Sequence, residues 1–290
     1  MANINKIKNR ISSVKKIRKI TQAMKMVSAA KFKKATNLVN TARNYDDALK
    51  EIINSFAYKL EDASLPIYFQ NSSRRKIAVI VVAADRGLCG AFNSALLKST
   101  QAFLEKQTQA EKIDLYLFGK RAELFFKNKK WPIKKTFSVE LGHLKTEDIL
   151  EKLAELPENF RNEEIDTILL FANKLNGALS NEMTPAQILP ISMPQKNIED
   201  EKIFTDFIYE VDQEATLKNL ALKCFCFFIY QALIESRATE EKLRMVAMDA
   251  ATKNANDFIN SLTIIYNRTR QAIITKEISE IVAGAEALAD

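Results

Sequence analysis

Hydrophobic positions at the start of the chain recur at coiled-coil spacing. Ile4, Ile7, Ile11 and Val14 step by three and four residues. After a three-residue skip (a stammer), Ile17, Ile20, Met24 and Val27 continue in the same way. Ala35, Leu38, Ala42, Tyr45, Leu49, Ile52 and Phe56 form a further ladder. The end of the chain repeats the feature in Ala251, Ala255, Phe258, Leu262, Ile265, Thr269 and Ala272, and closes on Ile274, Ile278, Ile281, Ala285 and Leu288. One such ladder is also what an ordinary amphipathic helix shows against its own domain. Length separates the two readings. About 55 residues of helix span ~80 Å and about 75 span ~110 Å, whereas a globule of this chain length is about 50 Å across. The pattern therefore predicts two long helices, over 1–60 and 210–290, paired as an antiparallel coiled coil that projects from a domain. Because the second is longer, its last ~20 residues overshoot Met1 and find no partner within the chain. That overshoot is still apolar, which marks a binding surface.

Between the helices the pattern changes. Residues 77–84 are a continuous apolar, β-branched run, the mark of a buried parallel strand. Residues 113–118 and 165–171 are further strand candidates, with helical pattern from Ser94, Lys120 and Thr146. This alternation predicts a small Rossmann-like α/β domain over 76–209 with a mainly parallel, doubly wound sheet. Linkers are expected at 61–75 and 188–202. The helix breakers agree with the division: all six prolines lie from Pro66 to Pro194, and every glycine except Gly284 lies from Gly87 to Gly177.

Composition adds bounds. The 290 residues are 47% hydrophobic and 27% charged, as in a folded soluble protein. Three cysteines, Cys89, Cys224 and Cys226, are too few and too odd for a disulfide framework, which favours a reducing compartment. Residues 1–8 are not followed by the apolar stretch of a secretory signal. A mitochondrial presequence is also basic and acid-poor, but here the basic pattern runs on through Lys34 within one helical period, so the segment reads as helix. The most apolar stretch, 220–234, contains Lys223 and is too short to span a bilayer; it reads as a buried helix segment. The net charge of +7 is unevenly placed. Residues 1–45 hold many lysines and arginines and no Asp or Glu, whereas acids such as Glu235, Glu240, Glu241 and Asp249 balance the bases near the end. A helix charged with one sign faces an acidic partner, protein or nucleic acid.

Candidate chemistry changes the picture little. The loop Arg86-Gly87-Leu88-Cys89-Gly90 stands between a strand and a helix, where phosphate-binding loops sit. It has neither the P-loop ending nor the spacing of a dinucleotide fingerprint, so it reads as a tight turn. Cys89 could be a nucleophile only beside His143, the single histidine, which lies in another segment. Cys224 and Cys226 diverge by about 200° on a helix and cannot share a metal; among Phe225, Phe227 and Phe228 they read as small core residues. Glu240 and Glu241 are expected on a solvated helix face. No catalytic residue, metal site or cofactor is expected.

Three stretches carry a resemblance. Ala23-Met24-Lys25-Met26-Val27-Ser28-Ala29-Ala30-Lys31 is similar to the N-terminal signature of F-type ATP synthase γ subunits. Asp85-Arg86-Gly87-Leu88-Cys89-Gly90, with Asn93, resembles that family's loop after the first strand. The third stretch runs from Arg244-Met245 through Asn254-Ala255, Tyr266-Asn267, Arg270-Gln271-Ala272 and Glu277-Ile278 to Gly284-Ala285. Departures are Thr239-Glu240 where the family usually has Ser-Glu, Ala283-Gly284-Ala285 for Gly-Gly-Ala, and Glu210-Val211 for Glu-Pro. They touch helix starts and tip packing. No counterpart of the redox insert of chloroplast relatives is recognisable, so thiol regulation is not expected.

The resemblance implies a non-catalytic rotor of the central stalk that couples proton flow to conformational change in a catalytic ring. Its partners would be α and β subunits, an ε subunit and a c ring, with no nucleic acid. It would be a peripheral protein on the cytoplasmic face of a bacterial inner membrane, attached through partners only. It further implies that Met24, Lys25, Lys31 and Cys89 face acidic lever loops of β. Arg270, Gln271 and Thr275 would touch β near the apical end, and Ile278, Ile281, Val282 and Leu288 would form the tip bearing. Two rival readings remain at this level. A nucleic-acid-binding coiled coil would set the acid-free helix on phosphates, and a passive tether would tolerate loss of the tip.

Overall fold

The computed structural model describes residues 2–59, 66–70, 75–137, 146–175, 184–192 and 213–286. The elements are α1 (Ala2–Lys59), a 3₁₀ turn (Ile67–Phe69), β1 (Lys76–Val82), α2 (Phe92–Lys106), β2 (Lys112–Phe118) and α3 (Lys120–Phe126). There follow β3 (Ile133–Phe137), α4 (Thr146–Leu153), α5 (Glu155–Arg161), β4 (Thr167–Phe171), β5 (Ala186–Leu189) and α6 (Gln213–Glu286). The chain forms two compact units, Met1–Ala29 with Arg244–Asp290, and Ala30–Leu243, so α1 and α6 each contribute to both.

The unit Ala30–Leu243 is built on a five-stranded sheet of order β3-β2-β1-β4-β5. β1 pairs in parallel with β2 and β4, and β2 with β3; only β5 runs antiparallel. The expected mainly parallel sheet is therefore present, and alternate strand residues explain why its strands are apolar throughout. Ala78, Ile80 and Val82 of β1 and Ile168 and Leu170 of β4 cluster with Val39 and Leu49 of α1 and with Phe225, Ile229 and Leu233 of α6. Ile77, Val79 and Val81 point to the other face, with Leu96 and Leu104 of α2 and Phe126 of α3. A strand covered on both faces needs no polar alternation. In this unit α6 is buried on nearly every side from Leu217 to Glu241. The stretch 220–234 is the core segment its sequence suggested. α6 is long and apolar enough to cross a membrane, but half of its most apolar window lies inside the structure, as in a core helix.

Two expectations for the middle of the chain are corrected. The stretch expected to be a linker before β1 holds the 3₁₀ turn, whose Tyr68 and Phe69 are buried, with the two rings of Tyr68 and Phe160 stacked at 5.9 Å. β5 takes Ile188 and Leu189 from the second expected linker. β3 was not foreseen either, because as an edge strand it exposes Lys134, Lys135 and Thr136 and carries no apolar run.

The unit Met1–Ala29 with Arg244–Asp290 is an antiparallel helix pair. Arg18 Nη1 donates to Asn256 Oδ1 at 3.2 Å, Thr252 Oγ1 donates to Thr21 Oγ1 at 2.8 Å, and Lys25 Nζ donates to Asp249 Oδ1 at 2.7 Å. The seam of α1 departs from the expected stammer. Ile4, Ile7, Ile11, Val14, Arg18, Thr21, Lys25 and Ser28 are sheltered in an unbroken alternation of three and four, with Met24 and Ala29 half-buried beside them. Ile17 and Ile20, placed in the seam by the apolar ladder, are 53% and 59% exposed. Farther on, Ala35, Ala42 and Leu49 of the expected ladder are buried, whereas Leu38, Tyr45 and Ile52 are exposed and Val39, Asp46 and Ile53 are buried in their place; the side chain of Phe56 lies outside the described residues. On α6 the sheltered residues are Met248, Thr252, Ala255, Ile259, Leu262, Tyr266, Thr269 and Ile273. This corrects Phe258 and Ile265, which face outward.

Candidate functional site

The C-terminal ends of β1 and β4 form a switch point of the sheet, since β1 has β2 on one side and β4 on the other. Such a switch point is where open α/β sheets hold ligands. Here it is closed by the protein's own side chains. Phe92 is fully buried with Ala84 and Cys89, and Leu243 of α6 packs on them. Asn173, after β4, donates from Nδ2 to the Phe92 carbonyl at 3.3 Å. The loop after β1 also uses its own polar groups. The Ala84 N–H donates to Asn93 Oδ1 at 2.9 Å, and Asn93 Nδ2 donates to Cys89 Sγ at 3.3 Å. The Lys120 N–H donates to Asp85 Oδ1 at 2.9 Å, tying this loop to the one after β2. The turn is thus held by side chains in the places where a phosphate loop offers open N–H groups.

Cys89 is 2% exposed and shapes the turn from inside, while Arg86 and Leu88 (φ +63°) are exposed, as are Gly90 and Ala91. His143 lies outside the described residues. Among the described residues no group of His, Cys, Asp and Glu side chains could hold a metal ion. Cys224 and Cys226 are buried, and burial pushes their thiols up to about 12 and about 11. Glu240 and Glu241 correct the expectation of a solvated face. They are 3% and 2% exposed, with Arg237 at 3.7 Å and 3.5 Å from their carboxylates. No apolar context in the sequence announced this, because α6 is enclosed at that level by folds of the chain far away in sequence.

The remaining candidates are surfaces. Met24 is half-buried and Lys25 is paired with Asp249; both lie on α1 of the helix-pair unit. Lys31 is exposed and belongs, with Cys89, to the other unit. Sequence reasoning missed the stripe beside the seam: Ile17, Ile20 and Val27 are exposed and line up with Met24 at spacings of three and four. The signal was there, but the same ladder was read as the seam. On α6, Ile273 is the last sheltered residue, and each residue of 274–283 is exposed. Arg270, Gln271 and Thr275 are exposed, and so are Ile278, Ile281 (71%) and Val282. Leu288 lies outside the described residues. The helix pair thus ends in a single unpaired helix of about 20 Å that carries apolar side chains in water.

These features define an antiparallel coiled-coil protein with a doubly wound α/β unit inserted between its two helices. A family model described as ATP synthase matches residues 3–288. An ATP synthase gamma chain from Geobacter sp. (strain M21) is 37% identical over 289 residues, covering 99% of both chains. The chain belongs to the ATP synthase gamma chain family. Its fold is similar to that in two structures of the Euglena gracilis mitochondrial ATP synthase. One, of the rotor in rotational state 1, has a TM-score of 0.62 at 19% identity and covers 94% of this chain and 99% of that chain. The other, of OSCP, F1 and the c ring in rotational state 3, has a TM-score of 0.65 at 18% identity and covers 99% and 95%.

Proposed function

We propose that the chain is the rotor of the central stalk of an F-type ATP synthase, a non-catalytic subunit that carries torque between a membrane sector and a catalytic ring. The observation that carries this reading is the unpaired end of α6, whose exposed apolar residues stand beyond the last sheltered position, Ile273. An exposed apolar helix end of that kind marks a surface that a partner covers, since covering it removes apolar area from water. The working division is a helix over 1–60, an α/β domain over 76–209 and a second helix over 210–290. Ile278, Ile281, Val282 and Leu288 serve as the tip bearing, and Arg270, Gln271 and Thr275 touch β below it.

Met24, Lys25 and Lys31 face acidic lever loops of β, with the outward stripe Ile17, Ile20 and Val27 beside them. Cys89 acts by holding the turn that offers Arg86 and Leu88. The partners are α and β subunits in a ring, an ε subunit and a c ring. The site of action is the cytoplasmic face of a bacterial inner membrane, reached through those partners. An asymmetric shaft touches three catalytic subunits differently, so turning it biases each through different conformations.

Reconstitution of the chain with α and β subunits tests the reading through ATP hydrolysis and rotation of the shaft. A stable complex with stimulated hydrolysis and unidirectional turning is expected. Failure to assemble, together with DNA retention at physiological salt, would overturn it in favour of phosphate binding by the basic helix.

A further inference from the structure

Resting on the reading that Lys25 faces an acidic partner, we infer that Asp249 is a positioning residue: it clamps the Lys25 ammonium and so limits how firmly that lysine grips partner carboxylates. Lys25 Nζ on α1 is 2.7 Å from Asp249 Oδ1 on α6. The other oxygen, Asp249 Oδ2, is 3.1 Å from Lys253 Nζ, one turn along α6. One carboxylate is therefore held between two lysines, one from each helix. Hydrogen bonds from Lys25 and then Lys253 keep its carboxyl below the usual range, so it is ionised at neutral pH.

The pair is open to exchange. The Lys25 and Asp249 side chains are 43% and 33% exposed, so a partner can reach the ammonium without unfolding the seam. A partner carboxylate that takes Lys25 replaces one ion pair with another of similar kind, and Asp249 keeps Lys253. The swap is reversible at small cost, because exposed pairs are individually weak. Without Asp249, Lys25 and Lys253 present two uncompensated charges, and a partner carboxylate that arrives has no competitor when it must leave. A shaft that makes and breaks the same contact with successive subunits needs that competitor.

The experiment uses the chain assembled with α and β subunits and measures the rate of ATP hydrolysis against salt concentration. Asp249→Asn is expected to slow turnover about two- to fivefold at low salt, the range an exposed pair can supply, and the loss should fade as salt rises. Asp249→Glu should restore the wild-type rate. On a Lys25→Gln background the same Asp249→Asn change should add no further slowing, since the Lys25 ammonium that over-grips is already gone. Asp257→Asn, on an exposed acid of the same helix, controls for net charge and should leave turnover unchanged.

A double variant that turns over more slowly than Lys25→Gln alone would mean a structural effect of Asp249→Asn and overturn the clamp. A wild-type rate for Asp249→Asn, while Lys25→Gln alters turnover, overturns the clamp and leaves the partner reading standing. Wild-type rates for both single variants overturn the partner reading at Lys25 and the clamp with it.

Discussion

Gly119 follows β2 with φ +92°, and a Cβ built there would lie 2.2 Å from the Ala83 carbonyl oxygen. That carbonyl belongs to the segment leading from β1 into the turn of Leu88 and Cys89, so the two loops can approach only because residue 119 has no side chain. Gly119→Ala is expected to destabilise the α/β unit by about 3 kcal/mol or more, combining left-handed strain with backbone displacement. The midpoint of denaturant unfolding measures it, and a shift under about 1 kcal/mol would show that the loops can part freely. The cysteines make a second statement at this scale. Cys89, Cys224 and Cys226 are buried, and burial holds the last two thiols neutral up to about 12 and about 11. At pH 8 a thiol-specific reagent should therefore label none of them in minutes on the native chain and all three in denaturant, because the thiolate is the reacting form. Rapid native labelling of Cys224 or Cys226 would contradict the enclosed position of α6. The core role of these two cysteines was legible from their phenylalanine neighbours. The burial of Glu240 and Glu241 was not, because it depends on chain segments distant in sequence.

The helices show where apolar spacing informs and where it misleads. The apolar residues alone pass from Val14 to Ile17 through a stammer, whereas the helix keeps its phase through Arg18, Thr21, Lys25 and Ser28. The phase is held by groups that pair across the helices, so it is invisible until the partner helix is known. A polar layer of this type trades stability for a defined alignment. The Thr252 hydroxyl donates to Thr21 Oγ1 and stands 2.7 Å from the Met248 carbonyl, so each single valine replacement still leaves the surviving threonine a partner. A cycle of Thr21→Val, Thr252→Val and the double variant should give a coupling energy of about 0.5–1 kcal/mol by thermal or denaturant unfolding. Strict additivity would mean that the two hydroxyls do not bond. In the sheet the legible strands were the three interior ones, β1, β2 and β4, whose apolar runs follow from cover on both faces. The two edge strands carried too few apolar residues to be seen.

At the scale of the whole molecule, the inequality of the two helices could be read from length alone, and the paired residues now place its boundary. The contacts of Arg18, Thr21 and Lys25 with Asn256, Thr252 and Asp249 set a register that brings the start of α1 opposite Ile273. Beyond it, residues 274–283 shelter nothing within the chain. Removing everything after Ile273 should therefore leave the fold intact, with a thermal midpoint within about 2 °C of the full chain, since none of the described side chains beyond it, 274–283, is buried. The same truncation strips Thr275, Ile278, Ile281, Val282 and Leu288 from the tip while sparing Arg270 and Gln271. In the complex with α and β subunits it should weaken assembly or the torque that turns the shaft against a load, and rotation assays with an attached probe measure both. A truncated chain that melts normally and turns with full torque would mean that the apolar end needs no bearing, and the tip would lose its assigned role while the coil beneath it kept its own. A truncated chain that unfolds early would show instead that the last turns stabilise the helix pair, contrary to their exposure.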